Sequence, residues 1–229
     1  MKVDLKVITT LRCSRSCPNC YQRPIMNAKP DYQATLKDMR LILNTGVKFH
    51  SLLFTGGEPT CWDYLEEASI FMAEHVKKGQ ITKFGIITNA MNPVRIIALK
   101  DHINSLFVTG YGGNGANVVK LKNVFGNKCA IWLREVMAPP IKEIVPPEKR
   151  GTFGCRCVGP VYYDGRFYSC SMVPALVKTF GPGVANEKAS TPPTPDWPKK
   201  LEYHQELCWA CISNSAVRRL KPPHDSMQA

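Results

Sequence analysis

Residues 3–135 alternate between short apolar segments and longer amphipathic ones, and this alternation restricts the fold more than any other feature of the sequence. The short segments have the β-branched content of strands, and the longer ones place apolar residues at helical spacing. Strands that alternate with helices pair in parallel through right-handed crossovers. The sequence therefore predicts an α/β fold built on a parallel sheet.

The pattern predicts five strands and four helices in this region. The predicted strands are 3–11, 50–56, 83–90, 103–112 and 128–136, and the predicted helices are 35–46, 63–79, 93–101 and 116–125. Polar or glycine-rich residues follow most of these strands. In α/β barrels the catalytic loops gather at the carboxyl ends of the strands, so we expect the functional residues at that edge.

A segment with four prolines, MAPPIKEIVPPEKRG (137–151), divides the chain. It predicts a first domain over 1–140, a linker over 141–150 and a second domain over 151–229. The first residues, MKVDLKVITT, carry charges inside an apolar run and fit neither a signal peptide nor a membrane span. No later stretch reaches the roughly 18 uncharged apolar residues of a spanning helix, so we expect a cytoplasmic protein without membrane contact.

The formal net charge is +12, from 30 Lys and Arg against 18 Asp and Glu. A basic protein favours an anionic partner such as a nucleic acid, a nucleotide or a phosphorylated substrate. A basic surface that serves solubility alone is the alternative interpretation.

Ten cysteines fall into two groups with two isolated members between them. The early group is Cys13, Cys17 and Cys20, the late group is Cys155, Cys157, Cys170, Cys208 and Cys211, and the isolated members are Cys61 and Cys129. Clustered cysteines without a signal peptide indicate metal ligation or redox chemistry rather than a disulfide scaffold. Cys129 lies in a predicted strand, where we expect a buried thiol.

The early group has the spacing C-x3-C-x2-C and offers three thiolates. A zinc site closed by protein needs four ligands, so zinc would require a distant fourth residue. In a cubane [4Fe–4S] cluster, three thiolates hold three irons and leave the fourth iron open. Both interpretations are compatible with the spacing alone.

A second motif, LLFTGGEP (52–59), ends a predicted strand with Gly56, Gly57 and Glu58. Paired glycines allow the backbone to approach a ligand closely, and the adjacent carboxylate can pair with a ligand ammonium group. An ordinary turn between a strand and a helix is the alternative.

C-x3-C-x2-C after the first strand, GGEP after the second and ITNA after the third resemble the radical S-adenosylmethionine enzymes over about residues 3–135. The resemblance implies a partial (β/α)5–6 TIM-like barrel. It also implies that Cys13, Cys17 and Cys20 hold a [4Fe–4S] cluster whose open iron binds S-adenosylmethionine. One electron, from a donor such as flavodoxin or ferredoxin, then cleaves the cofactor to a 5′-deoxyadenosyl radical that abstracts a substrate hydrogen.

The resemblance also implies a set of cofactor-binding residues. These are Gly56, Gly57, Glu58, Thr88, Asn89 and Tyr21, and the sequence adds Arg134 on separate grounds. The position before the third cysteine is often aromatic in the family, but here it is Asn19, with Tyr21 two positions later. Arg134 lies late in an apolar strand, where a charge needs a partner, so a contact with cofactor or substrate and a structural ion pair both stay open.

The late cysteines flank a predicted β-hairpin that turns at Asp164-Gly165. Over about 151–215 the pattern resembles the small auxiliary domain called twitch, which binds a further [4Fe–4S] cluster. The implied ligands are Cys155, Cys170, Cys208 and Cys211, with Cys157 as the alternative to Cys155. Four protein thiolates would leave no open iron, so this cluster would transfer electrons. A zinc ribbon is the other interpretation.

These motifs predict an enzyme that dehydrogenates or rearranges its substrate by radical chemistry. The basic charge favours a nucleoside, a nucleotide or a base in nucleic acid, as in the hypermodified bases of phage DNA. Relatives that oxidise an aminoglycoside alcohol or modify peptides define alternative substrates. A non-catalytic module that uses zinc to hold a basic nucleic-acid-binding fold is the alternative of another class.

Overall fold

The computed structural model describes residues 3–17, 20, 22–111, 113–133, 159–180 and 190–201. The strands are β1 (Val3–Thr10), β2 (Phe49–Gly56), β3 (Ile81–Thr88), β4 (Ser105–Gly110), β5 (Cys129–Leu133), β6 (Val161–Tyr163), β7 (Arg166–Tyr168) and β8 (Ser190–Thr191). The helices are α1 (Arg23–Ala28), α2 (Leu36–Asn44), α3 (Leu65–Lys77), α4 (Pro93–Ile97), α5 (Gly115–Phe125), α6 (Val173–Phe180) and α7 (Trp197–Lys200). Short 3-10 helices occupy Pro59–Cys61 and Gly126–Lys128.

All eight strands form one sheet in the order β5-β4-β3-β2-β1-β6-β7-β8. The first five strands are parallel, and helices connect them, so the predicted α/β alternation is confirmed. This mostly parallel sheet is compatible with a partial TIM-like barrel. After β5 the described chain returns to the sheet on the far side of β1, where β6 pairs with β1 in parallel.

The core lies where the helices cover the parallel strands. Strands buried on both faces read as continuous apolar runs, and β1 shows this with an almost fully buried second half. Phe54 of β2 makes edge-to-face contacts with Trp62 and Phe84, which join β2, the following turn and β3. Cys129 is buried, as expected.

The predicted hairpin is confirmed at its predicted turn. Asp164 and Gly165 adopt φ angles of +49° and +78°, which is the left-handed pair that a two-residue turn of type I′ requires. Tyr162 of the hairpin donates a 2.6 Å hydrogen bond to Oδ1 of Asp38 in the first turn of α2. The hairpin therefore extends the main sheet and is tied to a helix of the first region.

No helix among the described residues is both long and apolar enough to cross a membrane. The predicted linker, 141–150, lies outside the described residues, as do most of the late cysteines.

Candidate functional site

Four loops follow the carboxyl ends of β1 to β4. The first carries the early cysteines, the second is the GGEP turn, the third begins at Asn89 and the fourth runs from Tyr111 into α5. Parallel strands bring these loops to one edge of the sheet, and hydrogen bonds between them hold the candidate site together.

The two glycines of the GGEP turn allow this turn to lie directly against the cysteine loop. A Cβ atom on Gly57 would stand 2.3 Å from the carbonyl oxygen of Arg12 and 2.7 Å from that of Leu11. In this arrangement Gly57 N–H donates to Thr10 O at 2.7 Å, and Glu58 N–H donates to Arg12 O at 2.9 Å. The backbone pairing of β1 and β2 thus continues past the strands and fixes the start of the cysteine loop.

Glu58 is the central buried group of the site, with only 1% of its surface exposed. Its Oε1 accepts hydrogen bonds from Thr60 N–H (3.2 Å), the Thr60 hydroxyl (3.0 Å) and the Thr88 hydroxyl (2.7 Å). Its Oε2 accepts one from Asn89 N–H at 2.7 Å. Burial raises the pKa of the Glu58 carboxyl, and these hydrogen bonds oppose the shift.

Asn89 connects the third loop to the cysteine loop. Its Nδ2 lies 3.7 Å from Cys13 Sγ and 3.3 Å from Ser14 Oγ, and donates to both. The amide of Asn114, at the start of α5, donates to the carbonyl oxygens of Asn89 (2.6 Å) and Thr109 (3.1 Å). Sequence reasoning missed Asn114, because an asparagine before a helix normally indicates a cap, and this side chain instead holds two loops.

Cys13, Cys17 and Cys20 are half-buried, and none of them forms a disulfide. Burial raises the pKa of the Cys13 thiol to about 11. The charges of Glu58 and Cys20 add smaller shifts in the same direction. Burial also raises the pKa of Cys20, and the charge of Cys17 adds to that shift. Cys13 and Cys20 therefore lie near other sulfur atoms, because charges of neighbouring cysteines contribute to both shifts.

Within the described residues, no three Cys, His, Asp or Glu side chains are arranged so that they could hold a metal ion. The donor set of the early cysteines fits an iron–sulfur cluster in type and number, but the sulfur atoms must move closer together to bind one. Cys61, in the 3-10 helix after Glu58, lies near enough to raise the pKa of Cys13. The sequence left open whether this thiol, which follows GGEPT, lies near the site or serves only at a helix start.

Two ion pairs hold the outer side of the GGEP turn. Arg12 pairs with Asp63 at 2.7 Å, which links the cysteine loop to the segment before α3. Arg95 of α4 forms a fork-like pair with Glu66 of α3 and donates to the carbonyl oxygen of Thr60 at 2.7 Å. These pairs brace the turn from both flanking elements.

Arg15 lies across three of the four loops, and sequence reasoning did not single it out. Its guanidinium carbon stands 4.5 Å from the ring centroid of Tyr111, and Nη1 lies 3.7 Å from the sulfur of Met91. Tyr111 follows β4 and Met91 follows β3, so a side chain of the cysteine loop reaches both neighbouring loops. This cation is part of the candidate site.

Cys170 follows β7, the strand that returns antiparallel to β6. Val161 of β6 pairs in parallel with Lys6 of β1, and Tyr168 of antiparallel β7 pairs with Val161. The chain therefore leaves β7 toward the amino ends of the parallel strands. Cys170 follows Tyr168 by two residues and lies close enough to Lys6 of β1 for its charge to act on that side chain.

Cys170 is buried, and its sulfur accepts a 3.4 Å hydrogen bond from Met172 N–H. Burial lowers the pKa of nearby Lys6, and the charge of Cys170 opposes that shift. The remaining predicted site residues lie outside the described part of the chain. They are Tyr21, Arg134, Cys155, Cys157, Cys208 and Cys211.

No protein-family model matches the sequence, and no curated protein matches it. Among solved structures, the crystal structure of BtrN in complex with AdoMet and 2-DOIA is similar to the chain, with a TM-score of 0.46 and 18% sequence identity. The similarity covers 58% of this chain and 56% of BtrN. The chain thus spans little more than half of BtrN, and at this TM-score the similarity does not bear on the roles of the site residues.

Proposed function

We propose that this chain is a radical S-adenosylmethionine enzyme. One observation carries the proposal: Glu58 accepts hydrogen bonds from Thr88 and Asn89, and Asn89 donates to the sulfur of Cys13. Three motifs that are far apart in the sequence therefore meet through direct contacts at one edge of a parallel sheet. A zinc module has no need for this convergence of the GGEP turn with the cysteine loop.

In this proposal Cys13, Cys17 and Cys20 hold a [4Fe–4S] cluster and leave one iron for the cofactor. Their loop closes around the cluster, because metal binding and the ordering of its ligands are coupled. Asn89 keeps its hydrogen bond to Cys13 Sγ, and such a donor next to a ligand sulfur tunes the electron density on the metal.

The bound cofactor would supply a carbon-centred radical that abstracts hydrogen from a substrate carbon. Oε2 of Glu58, which accepts one hydrogen bond from the described residues, would pair with the methionyl ammonium group. Gly57 and Thr88 would hold that carboxylate in place, through the close approach to the cysteine loop and through the 2.7 Å hydrogen bond. Tyr21 and Arg134 are proposed as further contacts to cofactor or substrate.

We further propose a second [4Fe–4S] cluster on Cys170, Cys208, Cys211 and either Cys155 or Cys157. Four protein thiolates would leave no open iron, so this cluster would transfer electrons rather than hold substrate. Flavodoxin or ferredoxin is the proposed electron donor. The reaction is a dehydrogenation or a radical rearrangement, and the charge of +12 favours a nucleoside, a nucleotide or a modified base in nucleic acid as substrate.

Anaerobic purification of the full chain tests the proposal. We expect about eight irons and eight sulfides per chain, with visible absorption that dithionite bleaches. Zinc without iron would instead assign the chain to a non-catalytic zinc module.

A pair of variants separates the two clusters. Cys17→Ala should abolish reductive cleavage of S-adenosylmethionine, whereas Cys208→Ala should leave this cleavage measurable. Equal loss of cleavage in both variants would contradict the separate roles. Deuterated candidate substrates that transfer label into 5′-deoxyadenosine then identify the substrate.

A further inference from the structure

Arg15 is a cation at the candidate site. The two groups that orient its side chain carry no negative charge. The ring of Tyr111 lies against the guanidinium at 4.5 Å, which is within the distance of a cation–π contact. Nη1 donates to the thioether sulfur of Met91, which is a weak acceptor. Both contacts orient the planar group and leave its charge uncompensated.

Arg12 and Arg95 of this edge differ from Arg15 in this respect, and Arg23 donates to the carbonyl oxygen of Cys17 at 2.9 Å. Arg12 pairs with Asp63, and Arg95 pairs with Glu66. Among the described residues, no carboxylate pairs with Arg15. Its Nε is buried and donates no hydrogen bond to the described part of the protein. A buried donor without an acceptor is unfavourable, so a ligand that supplies an acceptor stabilises the site.

The geometry of the Arg15 guanidinium indicates which chemical group would accept its hydrogen bonds. Arginine presents N–H groups in a fixed planar fork that matches two oxygens of a phosphate or a carboxylate. The net charge of +12 favours an anionic ligand, and a phosphate carries more charge than a carboxylate at neutral pH. A phosphate group at this position would lie beside the loop that carries the early cysteines.

We propose that Arg15 binds a phosphate group of the substrate, so that the enzyme acts on a phosphorylated compound. This inference rests on the proposed function for the identity of the reaction, but the phosphate site itself stands on the contacts of Arg15. Tyr111 and Met91 are the positioning residues that hold the guanidinium toward the ligand.

Protection from chemical modification tests this site in the unaltered full chain. Phenylglyoxal modifies arginine side chains, and peptide mass spectrometry follows each arginine separately. Inorganic phosphate is added at constant ionic strength. At roughly ten times its dissociation constant, phosphate should slow the modification of Arg15 about tenfold by mass action.

Arg40 of α2 is the matched control, because it is exposed and lies far from Arg15 in the sequence. It forms no ion pair in the described structure. Its modification should not change with phosphate. If phosphate slows Arg15 and Arg40 equally, Arg15 is not a phosphate site.

S-adenosylmethionine is the second probe, because its carboxylate is the competing anion. Protection by phosphate but not by S-adenosylmethionine alone supports the proposal, whereas protection by S-adenosylmethionine alone would make Arg15 a cofactor residue and overturn it. The S-adenosylmethionine probe is applied to protein that carries its iron, because the proposed cofactor site includes an iron of the cluster. Protection of Arg15 by phosphate depends neither on iron content nor on cofactor cleavage, so a failure of that arm is distinct from a failure of the proposed reaction.

Discussion

The hydroxyl of Thr88 donates a 2.7 Å hydrogen bond to Oε1 of Glu58, so the loops after two neighbouring parallel strands share one buried carboxylate. The backbone N–H of the next residue, Asn89, donates to the other oxygen of the same carboxylate. Glu58 therefore organises the carboxyl edge of the sheet before any ligand binds.

Replacing this carboxylate by its amide should destabilise the protein. In Glu58→Gln, the amide oxygen keeps the Thr88 bond, but the NH2 group then faces the N–H of Asn89, and two donors cannot pair. We expect a loss of about 1–3 kcal/mol in the free energy of unfolding, measured by urea denaturation. Glu67→Gln, on the exposed side of α3, should change it by less than about 0.5 kcal/mol. Equal effects of the two changes would show that Glu58 has no special structural role.

A methyl group added at the GGEP turn tests whether the turn requires a glycine because the backbone of the cysteine loop packs closely against it. Gly57→Ala places a Cβ 2.3 Å from the carbonyl oxygen of Arg12, and the neighbour is backbone that cannot rotate away. We expect a loss of roughly 2 kcal/mol or more, from thermal or urea unfolding. Gly115→Ala is the control, because no heavy atom lies within 4 Å of the added methyl group. Its free energy of unfolding should stay within about 0.5 kcal/mol of the parent.

Asn114 provides a prediction with a defined pH dependence. Asn114→Asp replaces an NH2 donor by a carboxylate that faces the carbonyl oxygens of Asn89 and Thr109. The charged form is disfavoured in the folded state, so the new carboxyl has a raised folded pKa. Stability should therefore be lowest at neutral pH and should recover as the pH falls below that pKa. Asn117→Asp, which loses one bond at a half-buried position, should show a smaller effect, and the reverse ranking would refute the assignment.

The Cys13 thiol should react slowly in the metal-free protein. With a pKa of about 11, its alkylation by iodoacetamide should rise about tenfold per pH unit from pH 7 to 10. At pH 7 the rate should be more than roughly a hundredfold below that of the same cysteine in urea, where the pKa is near 8.5. Because Glu58 contributes to this shift, Glu58→Gln should lower the pKa. A native rate equal to the rate in urea would exclude the raised pKa.

The same shift fixes the sign of a stability change. The folded pKa lies above the unfolded value, so the unfolded chain releases the Cys13 proton first as the pH rises. The contribution of this thiol to stability is therefore complete below about pH 8.5 and is lost progressively toward pH 11.

The contact between the hairpin and α2 can be tested with one hydroxyl group. Tyr162→Phe removes the 2.6 Å bond to Asp38 and keeps the buried ring, so we expect a loss of about 1 kcal/mol in unfolding free energy. Tyr64→Phe changes an exposed ring and should be nearly neutral. No difference between the two variants would mean that the hairpin does not depend on this bond.

Features that depend on nearby residues were predictable from the sequence. The alternation of strands and helices follows from hydrophobic periodicity, and the hairpin turn follows from Asp164-Gly165, a pair suited to positive φ angles. Placement of the cysteine loop, GGEP and Thr88-Asn89 at one edge follows from parallel pairing, since each motif comes directly after a strand.

Contacts between distant residues were decided only by the tertiary structure. The sequence could not show that β6 pairs with β1, because strand register depends on packing across the sheet. Nor could it show that Asn114 binds two loops instead of capping its helix, or that Arg15 lies on Tyr111. Local patterns fix which residues follow each strand, while the hydrogen bonds and charges among those residues depend on distances that only the folded sheet sets.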